Sequence, residues 1–453
     1  MPGISQQEPS YLEELRLTAF KSYDGAALPL SEFTIVIGRN GSGKSNALDA
    51  LIVLARLASG DDVRDALNGS RGDQEPIRGG AEGCVPFGSD FFELGCRVRT
   101  AGVVVDFDVQ VWLEPYPRIG YERLTAVSGL GRINGKDLLI TLDADPESGD
   151  IWARYYNGKK GVNPSAPFNA SRLLVTQAAA RVPGTTEATR EVQKAAGHVV
   201  AALEAIFVLD PVPAMMRQYV NERDNDLRRD GSNLSAVIAR LRHEDPAAVD
   251  ELTDVIQELS EQPVRSIDTA RSNLGDVLLT LNERDSRDAR RVVRTPARLM
   301  SDGTLRFLAI GTAVLSAPRP VATQPNHARG EAEGQRMLVV EEIESGLHPT
   351  QAGRVLRLIK EESSSRQIRT LATTHSPAIL DALEGTDHES VVVCDRAGDS
   401  GLSRLRRLID LPGYPELMAA GRLGSAVSQC RLSSASEPQA KAYTEFNRIL
   451  EAM

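Results

Sequence analysis

Hydrophobic and polar positions along the chain fall into three patterns, each predicting a different kind of element. Short continuous apolar runs at Phe33–Ile37 and Met337–Val340, and a third closed by Leu371 and Ala372, read as buried strands. Alternation over 103–113 (VVVDFDVQVWL) sets Val103, Val105, Phe107, Val109 and Val111 against polar positions, as in a half-buried antiparallel strand. Helical spacing groups Ala47, Leu48, Leu51, Ile52 and Ala55 on one face, and Leu305, Leu308, Ala309 and Thr312 on another. Between about 185 and 262 two more stripes, Val199-Leu203-Ile206-Phe207 and Leu252-Val255-Ile256-Leu259, read as the core faces of a helical lobe. No heptad persists long enough for an extended coiled coil. The Gly- and Asp-rich stretch 59–85 reads as a loop, DADPESGD (143–150) as a turn, and 322–335 as a polar surface loop.

Candidate chemistry sits where these elements begin and end. The run Phe33–Ile37 leads into Gly38, Arg39, Asn40, Gly41, Ser42, Gly43, Lys44, Ser45 and Asn46, a full match to G-x-x-x-x-G-K-[ST] followed by a helix. Glycines at 38, 41 and 43 let the backbone turn its N–H groups toward phosphates. Lys44 would reach the β- and γ-phosphates, Ser45 would hold Mg²⁺, and the helix N-terminus would add a favourable dipole.

The apolar run Met337–Val340 ends in Glu341 and Glu342. Glu341 would hold the metal through its water shell, and Glu342 would orient or deprotonate the attacking water. A helix over roughly Gln351–Ser363 separates that strand from the next, so the right-handed crossover makes the two strands parallel neighbours. His375 stands at the end of the second one. Ligands bind at the carboxyl ends of such strands, so Lys44, Glu342 and His375 can gather on one γ-phosphate. Ser301 is a candidate N-cap for the helix of Leu305, and that helix N-terminus is a second candidate phosphate contact.

Composition adds bounds. A chain of 453 residues predicts two lobes or domains. Its net charge of −10 does not suggest a nucleic-acid coat, though a local basic groove is compatible with it. Arg287, Arg290, Arg291, Arg294 and Arg298, and the smaller group Arg223, Arg228 and Arg229, read either as solvated faces interspersed with Asp or as a DNA-backbone or partner surface. No apolar run is long enough for a bilayer, and the N-terminus lacks a signal-peptide pattern. Cys84, Cys96, Cys394 and Cys430 form no C-x-x-C pair, as expected in a reducing cytoplasm.

The order of these segments is phosphate loop, then RLMSDGTLRFLAIGTAVL, then MLVVEEIESGLHP, then RTLATTHSP. It resembles the heads of ATP-binding-cassette-type proteins, most closely the RecF/SMC-like ATPases of the AAA_21 group. The opening LEELRLTAFKSYDGAALPL and the segments VLDPVPAMMRQYV and LRRDGSNLSAVIARL are also similar to that group. The resemblance implies an α/β ABC-type ATPase head. Its parts would be a mixed or parallel nucleotide-binding sheet, an antiparallel β subdomain and a helical lobe. It divides the chain into an N-terminal head part (1–165), a helical insertion (166–290), a C-terminal head part (291–400) and a short extension (401–453).

It further implies ATP and Mg²⁺ as cofactors and a head-to-head homodimer or larger homo-oligomer, with Ser301, Asp302 and Gly303 touching the partner copy's nucleotide. Residues Glu344 to His348 would communicate across that interface. Glu341 stands where many relatives have Asp, and Ile343 where Pro is common. The glutamine that senses Mg²⁺ in such heads has two candidates here, Gln74 and Gln110.

The expected role is a cytoplasmic switch ATPase that regulates a separately encoded nuclease or toxin effector, or engages DNA, in anti-phage defence. A RecF-like repair or clamp ATPase is the alternative, and a transporter subunit is disfavoured by the Ser-Asp-Gly-Thr signature and the long insertion. The segment after about residue 400 has no room for a Toprim or HNH nuclease.

Overall fold

The computed structural model describes residues 8–69, 75–144, 149–259, 263–285, 291–315, 332–346, 348–398, 400–412, 414–419 and 423–424. In chain order its strands are β1 (Tyr11–Phe20), β2 (Tyr23–Pro29), β3 (Phe33–Ile37), β4 (Phe91–Thr100), β5 (Val103–Trp112), β6 (Arg118–Ser128), β7 (Asp137–Ala144), β8 (Asp150–Tyr155), β9 (Ser165–Asn169), β10 (Ile206–Leu209), β11 (Val220–Asn221), β12 (Val264–Arg271), β13 (Asp276–Arg284), β14 (Val292–Pro296), β15 (Met337–Val340), β16 (Arg369–Thr374), β17 (Val391–Arg396) and β18 (Ser403–Arg407). The helices are α1 (Lys44–Ala58), α2 (Val63–Asn68), α3 (Leu174–Arg181), α4 (Glu187–Glu204), α5 (Pro213–Met216), α6 (Leu234–Glu244), α7 (Pro246–Leu259), α8 (Asp302–Leu315), α9 (Pro349–Ser365), α10 (Pro377–Asp381) and α11 (Tyr414–Ala419).

The large sheet runs β10-β15-β16-β3-β17-β18-β2-β1-β4-β5-β6-β7-β8-β9. Its first five strands are parallel. Beyond β18 the meander β2-β1-β4-β5-β6-β7-β8-β9 is antiparallel. The two halves join through β18, which meets β2 where Ser403 pairs with Tyr23. The antiparallel part is therefore a continuation of the nucleotide-type sheet.

Alternate residues of the parallel strands feed two cores. Val36, Met337, Val339 and Leu371 pack with α1, α3, α4 and the meander. Ile35, Ile37, Leu338, Val340 and Ala372 pack with α6, α7, α8 and α9. Such strands are buried on both faces, which is why they read as unbroken apolar runs. The alternation of β5 is also realised: Val105, Phe107, Val109 and Val111 are buried.

Two helical stripes differ from expectation. Helix α1 is buried around most of its circumference, including Ala50, Val53 and Leu54, while Ala55 is only half-buried. Ile206 and Phe207 do not continue the stripe of α4, which ends at Glu204. They open β10, whose residues pair in parallel with Met337–Val340 at the sheet edge. The ladder wins over the helix because IFVL is a β-branched and aromatic run beside an unpaired strand. The stretch 166–290 likewise contains more than helices. Strands β11, β12 and β13 form a second sheet with β14, and Val264, Ile267, Leu278 and Leu279 pack into the same core as α6–α8.

One buried carboxyl has a structural explanation. Glu122 on β6 is fully buried and accepts the backbone N–H groups of Leu174 and Val175, each at 2.7 Å. It caps the first turn of α3 from a neighbouring element. Burial pushes its carboxyl up to about 8 against the pull of those two N–H groups.

Candidate functional site

The phosphate-type loop leaves β3 at Gly38. Gly41 and Gly43 take φ of +77° and +117°, a region that excludes most side chains. At Gly38 a Cβ would strike the Cys394 carbonyl, so β17 sets that requirement. The loop's carbonyls are held from outside: Arg396 Nε donates to Gly41 O (2.6 Å), Ser403 Oγ to Ser42 O (2.6 Å) and Tyr23 Oη to Gly43 O (3.0 Å). Asn46 Nδ2 donates to Ser22 Oγ at 2.8 Å. Ser42 Oγ is buried without a hydrogen-bond partner in the protein, as an orphan polar atom facing a phosphate site would be. Lys44 Nζ folds over the loop to Gly38 O (2.7 Å) and Arg39 O (3.1 Å). Its burial lowers its pKa, partly offset by Cys394, Glu342, Glu344 and Glu341 nearby.

Register brings the remaining groups to the same edge. Thr374 lies beside Ile37, and Val340 beside Ala372, so Gly38, His375 and Glu341 all follow the carboxyl ends of adjacent parallel strands β3, β16 and β15. Ser45 Oγ donates to Glu341 Oε1 at 2.5 Å. Arg78 donates to the same oxygen at 3.0 Å and also to Ser45 O at 3.1 Å. Burial raises the Glu341 carboxyl, but Ser45 and Arg78 more than offset it and leave it below its ordinary value.

Among the described residues no group of three or more His, Cys, Asp or Glu forms a metal cage. A hydroxyl and a carboxylate alone suit Mg²⁺, a hard cation that keeps most of its water.

Glu342 has φ of +48°, a left-handed conformation costing a non-glycine about 1–2 kcal/mol. Its N–H donates to Thr373 Oγ1 (2.9 Å), and Ser345 Oγ donates to its Oε2 (3.0 Å). His375 Nδ1 is 3.6 Å from Glu342 Oε1 and 3.2 Å from Glu344 Oε1. The His375 backbone N–H also donates to Glu344 Oε1 at 2.8 Å. Glu344 is nearly buried, whereas Glu342 and His375 are each more than 40% exposed at the side chain, so only the latter two are open to an incoming group.

Ser301 caps α8 as expected, its Oγ accepting the Thr304 N–H at 3.1 Å. Ser301 and Asp302 are exposed and Gly303 is buried. Gly346, at φ +76°, approaches that turn so closely that a Cβ would sit 3.2 Å from Gly303 N. The signature turn and the loop after Glu342 therefore touch within one chain. Leu347 lies outside the described residues.

The acidic and basic cluster of Asp49, Arg78 and Lys21 was not anticipated, nor were Tyr23, Arg396 and Ser403, which hold the loop carbonyls. Asp49 on α1, 2% exposed, accepts from Arg78 Nε (3.0 Å) and Lys21 Nζ (2.9 Å), and Lys21 also donates to Arg78 O (2.7 Å). An acidic residue between apolar neighbours on α1 was the available signal. Of the two glutamine candidates, Gln74 is outside the described residues. Gln110 sits on β5, far along the meander from β3, bonded to Glu93 and Trp112, which removes it from the site.

Four described members of the arginine groups have an acidic neighbour. Arg294 pairs with Asp268, Arg291 with Asp285, Arg228 with Asp224 and Arg229 with Asp210, while Arg298 lies over Tyr219. Arg287 and Arg290 are outside the described residues. Cys84, Cys96 and Cys394 are free and buried. Among the described residues no helix is long and apolar enough to cross a membrane.

Known proteins are similar to parts of this chain. Residues 186–381 match the family described as "AAA domain, putative AbiEii toxin, Type IV TA system", and residues 11–77 match "AAA ATPase domain". A chromosome partition protein Smc of Synechococcus is 50% identical over 56 residues, 12% of this chain and 5% of that protein. The DNA replication and repair protein RecF of Acidothermus cellulolyticus is 35% identical over 102 residues, 22% of this chain and 23% of RecF. The matched part thus spans less than a quarter of either relative. Among solved structures, an SmcHead bound to the C-winged helix domain of ScpA aligns over 87% of this chain and 97% of that one, at 16% identity and a TM-score of 0.45. The SMC head domain of Thermotoga maritima aligns at 14% identity and a TM-score of 0.34, over 88% and 98%.

Proposed function

We propose that the chain is an SMC/RecF-like, ABC-type ATPase, a reading supported by its motifs and its family matches, and that it binds ATP with Mg²⁺ and hydrolyses it to ADP and phosphate, closing head-to-head on a second copy. The observation that carries this reading is the meeting of Gly38–Asn46, Glu341–Glu342 and His375 at the carboxyl ends of three adjacent parallel strands.

In that cycle the loop N–H groups and Lys44 bind the phosphates, and Ser45 and Glu341 hold the cation. Bound Mg²⁺ would neutralise charge on the β- and γ-phosphate oxygens. Glu342, strained and exposed, takes the proton of the attacking water. His375 faces the γ-phosphate, steadied by Glu344. Ser301, Asp302 and Gly303 meet the nucleotide of the second copy.

The cycle would govern an effector in anti-phage defence, a role supported by the toxin description of the matching family. A nuclease or toxin encoded separately would then be the partner. The second reading, a RecF-like repair or clamp ATPase on DNA, is supported by the RecF match. Glu342→Gln protein tests both levels. It should lose turnover about 10²–10⁴-fold and collect as an ATP-bound dimer in light scattering. Unchanged hydrolysis would remove Glu342 from its role. Recovered from its host with ATP and Mg²⁺, the same protein should bring down a stoichiometric effector; DNA alone would favour the second reading.

A further inference from the structure

The segment VLDPVPAMMRQYV has no part in the reaction as described, yet it grips the signature turn. It runs from the end of β10 through α5, which packs on α8. Arg217, just after α5, donates through Nη2 to Met300 O at 2.9 Å and to Asp302 Oδ1 at 2.6 Å. Those two acceptors bracket Ser301. Two residues later the Tyr219 ring lies 5.5 Å from the Arg298 guanidinium. One short segment thus holds residues 298, 300 and 302 at once.

Asp302 is the unusual member. A carboxylate in the first turn suits an isolated helix, because it complements the positive end of the dipole. It opposes a helix N-terminus whose task is to meet an anion. The Asp302 side chain is 64% exposed, on the open side of the turn, whereas Arg217 is 26% exposed. We infer that Arg217 is a positioning residue for the signature: it cancels the Asp302 charge and fixes the Met300 carbonyl, so that the Ser301 turn can receive the nucleotide phosphates of a second copy. This rests on the trans-acting signature proposed above. Both bonds leave Nη2, whose two N–H groups are fixed in the guanidinium plane and so point at the two acceptors, where the ammonium of a lysine is a rotating point charge.

The test uses the full chain carrying Glu342→Gln, with ATP and Mg²⁺, and reads the dimer dissociation constant by sedimentation. Adding Arg217→Ala should weaken the dimer at least about tenfold, as for loss of a charge partner at an interface. ATP affinity of the monomer's own phosphate loop is measured in the same samples and should stay within about twofold, well below a tenfold step. Arg217→Ala with Asp302→Asn should recover most of the lost association, and Arg217→Lys should fall between. Arg217→Gln, uncharged but less severely truncated, replaces the alanine variant if that protein melts early.

If Arg217→Ala dimerises as readily as its parent, the inference is overturned while the head-to-head reading stands. If Asp302→Asn gives no recovery, the charge role is overturned. A parent that stays monomeric with ATP overturns both.

Discussion

Ser45 Oγ and Glu341 Oε1 lie 2.5 Å apart although 296 residues separate them in sequence. One residue opens α1 and the other follows β15, two strands away from β3 in the sheet. The same carboxylate oxygen accepts from Arg78. This pair is the candidate cation site, with Arg78 supplying positive charge where a divalent ion would share the load.

Removing the hydroxyl separates metal binding from phosphate binding. Ser45→Ala should weaken Mg²⁺-dependent ATP affinity by about 10–100-fold, the usual cost of disturbing a metal's ligand set. ATP binding measured in EDTA should change far less. Titration of a fluorescent ATP analogue with and without Mg²⁺ decides it, and equal losses in both conditions would take Ser45 off the metal.

His375 is held beside Glu344, whose Oε1 accepts its backbone N–H at 2.8 Å and stands 3.2 Å from its ring Nδ1. Glu344→Ala should lower the turnover number by about 10–100-fold through misplacement of the ring. Affinity for ATP should hold, since Glu344 makes no bond to the phosphate loop. Single-turnover hydrolysis beside equilibrium binding reads the two effects separately; a loss confined to binding would contradict the assignment.

At the other half of the site, Ser301→Arg should leave monomer ATP binding intact and abolish the ATP-dependent dimer in a Glu342→Gln background. The bulky cation would fill the exposed face of the α8 N-terminus. Light scattering that still shows an ATP-dependent dimer would mean that the signature does not act in trans.

Glu122 bears on stability alone. Glu122→Ala strands two buried N–H groups and should destabilise by about 1–3 kcal/mol per lost bond at most. Its folded pKa, about 8, is raised above the ordinary carboxylate value. The stability it contributes is therefore complete below that ordinary value and is lost as pH rises through about 8. Glu122→Gln should remove this pH dependence from urea midpoints measured between pH 5 and pH 9, on the order of the titration range given by that linkage. A wild-type midpoint flat across that range would contradict the raised pKa.

Much of this was readable locally. Glycines that tolerate left-handed backbone, an apolar run before them and a helical stripe after them define the loop at 38–46 without any partner. Ser301 as an N-cap and Glu341–Glu342 at a strand end are local facts of the same kind. Arg78 was not legible, because it lies in a Gly- and Asp-rich loop with no periodicity, and only folding brings it to Asp49 and Glu341. Ile206 and Phe207 fit a helical stripe by spacing and joined a strand instead, because β15 offered an unpaired edge.

The sequence by itself determined which short segments could turn, cap or pair, since those properties depend on dihedral preference and spacing within a few residues. It also determined that two carboxylates, a lysine and a histidine stand at element ends. Tertiary structure alone decided which of them share an atom. The parallel register of β15, β16 and β3 aligned the ends, Cys394 and Ser403 made Gly38 and Gly43 obligatory, and Arg217 reached across to Asp302. Those relations depend on contacts distant in the chain, and no local pattern encodes the distance between two side chains that folding has yet to bring together.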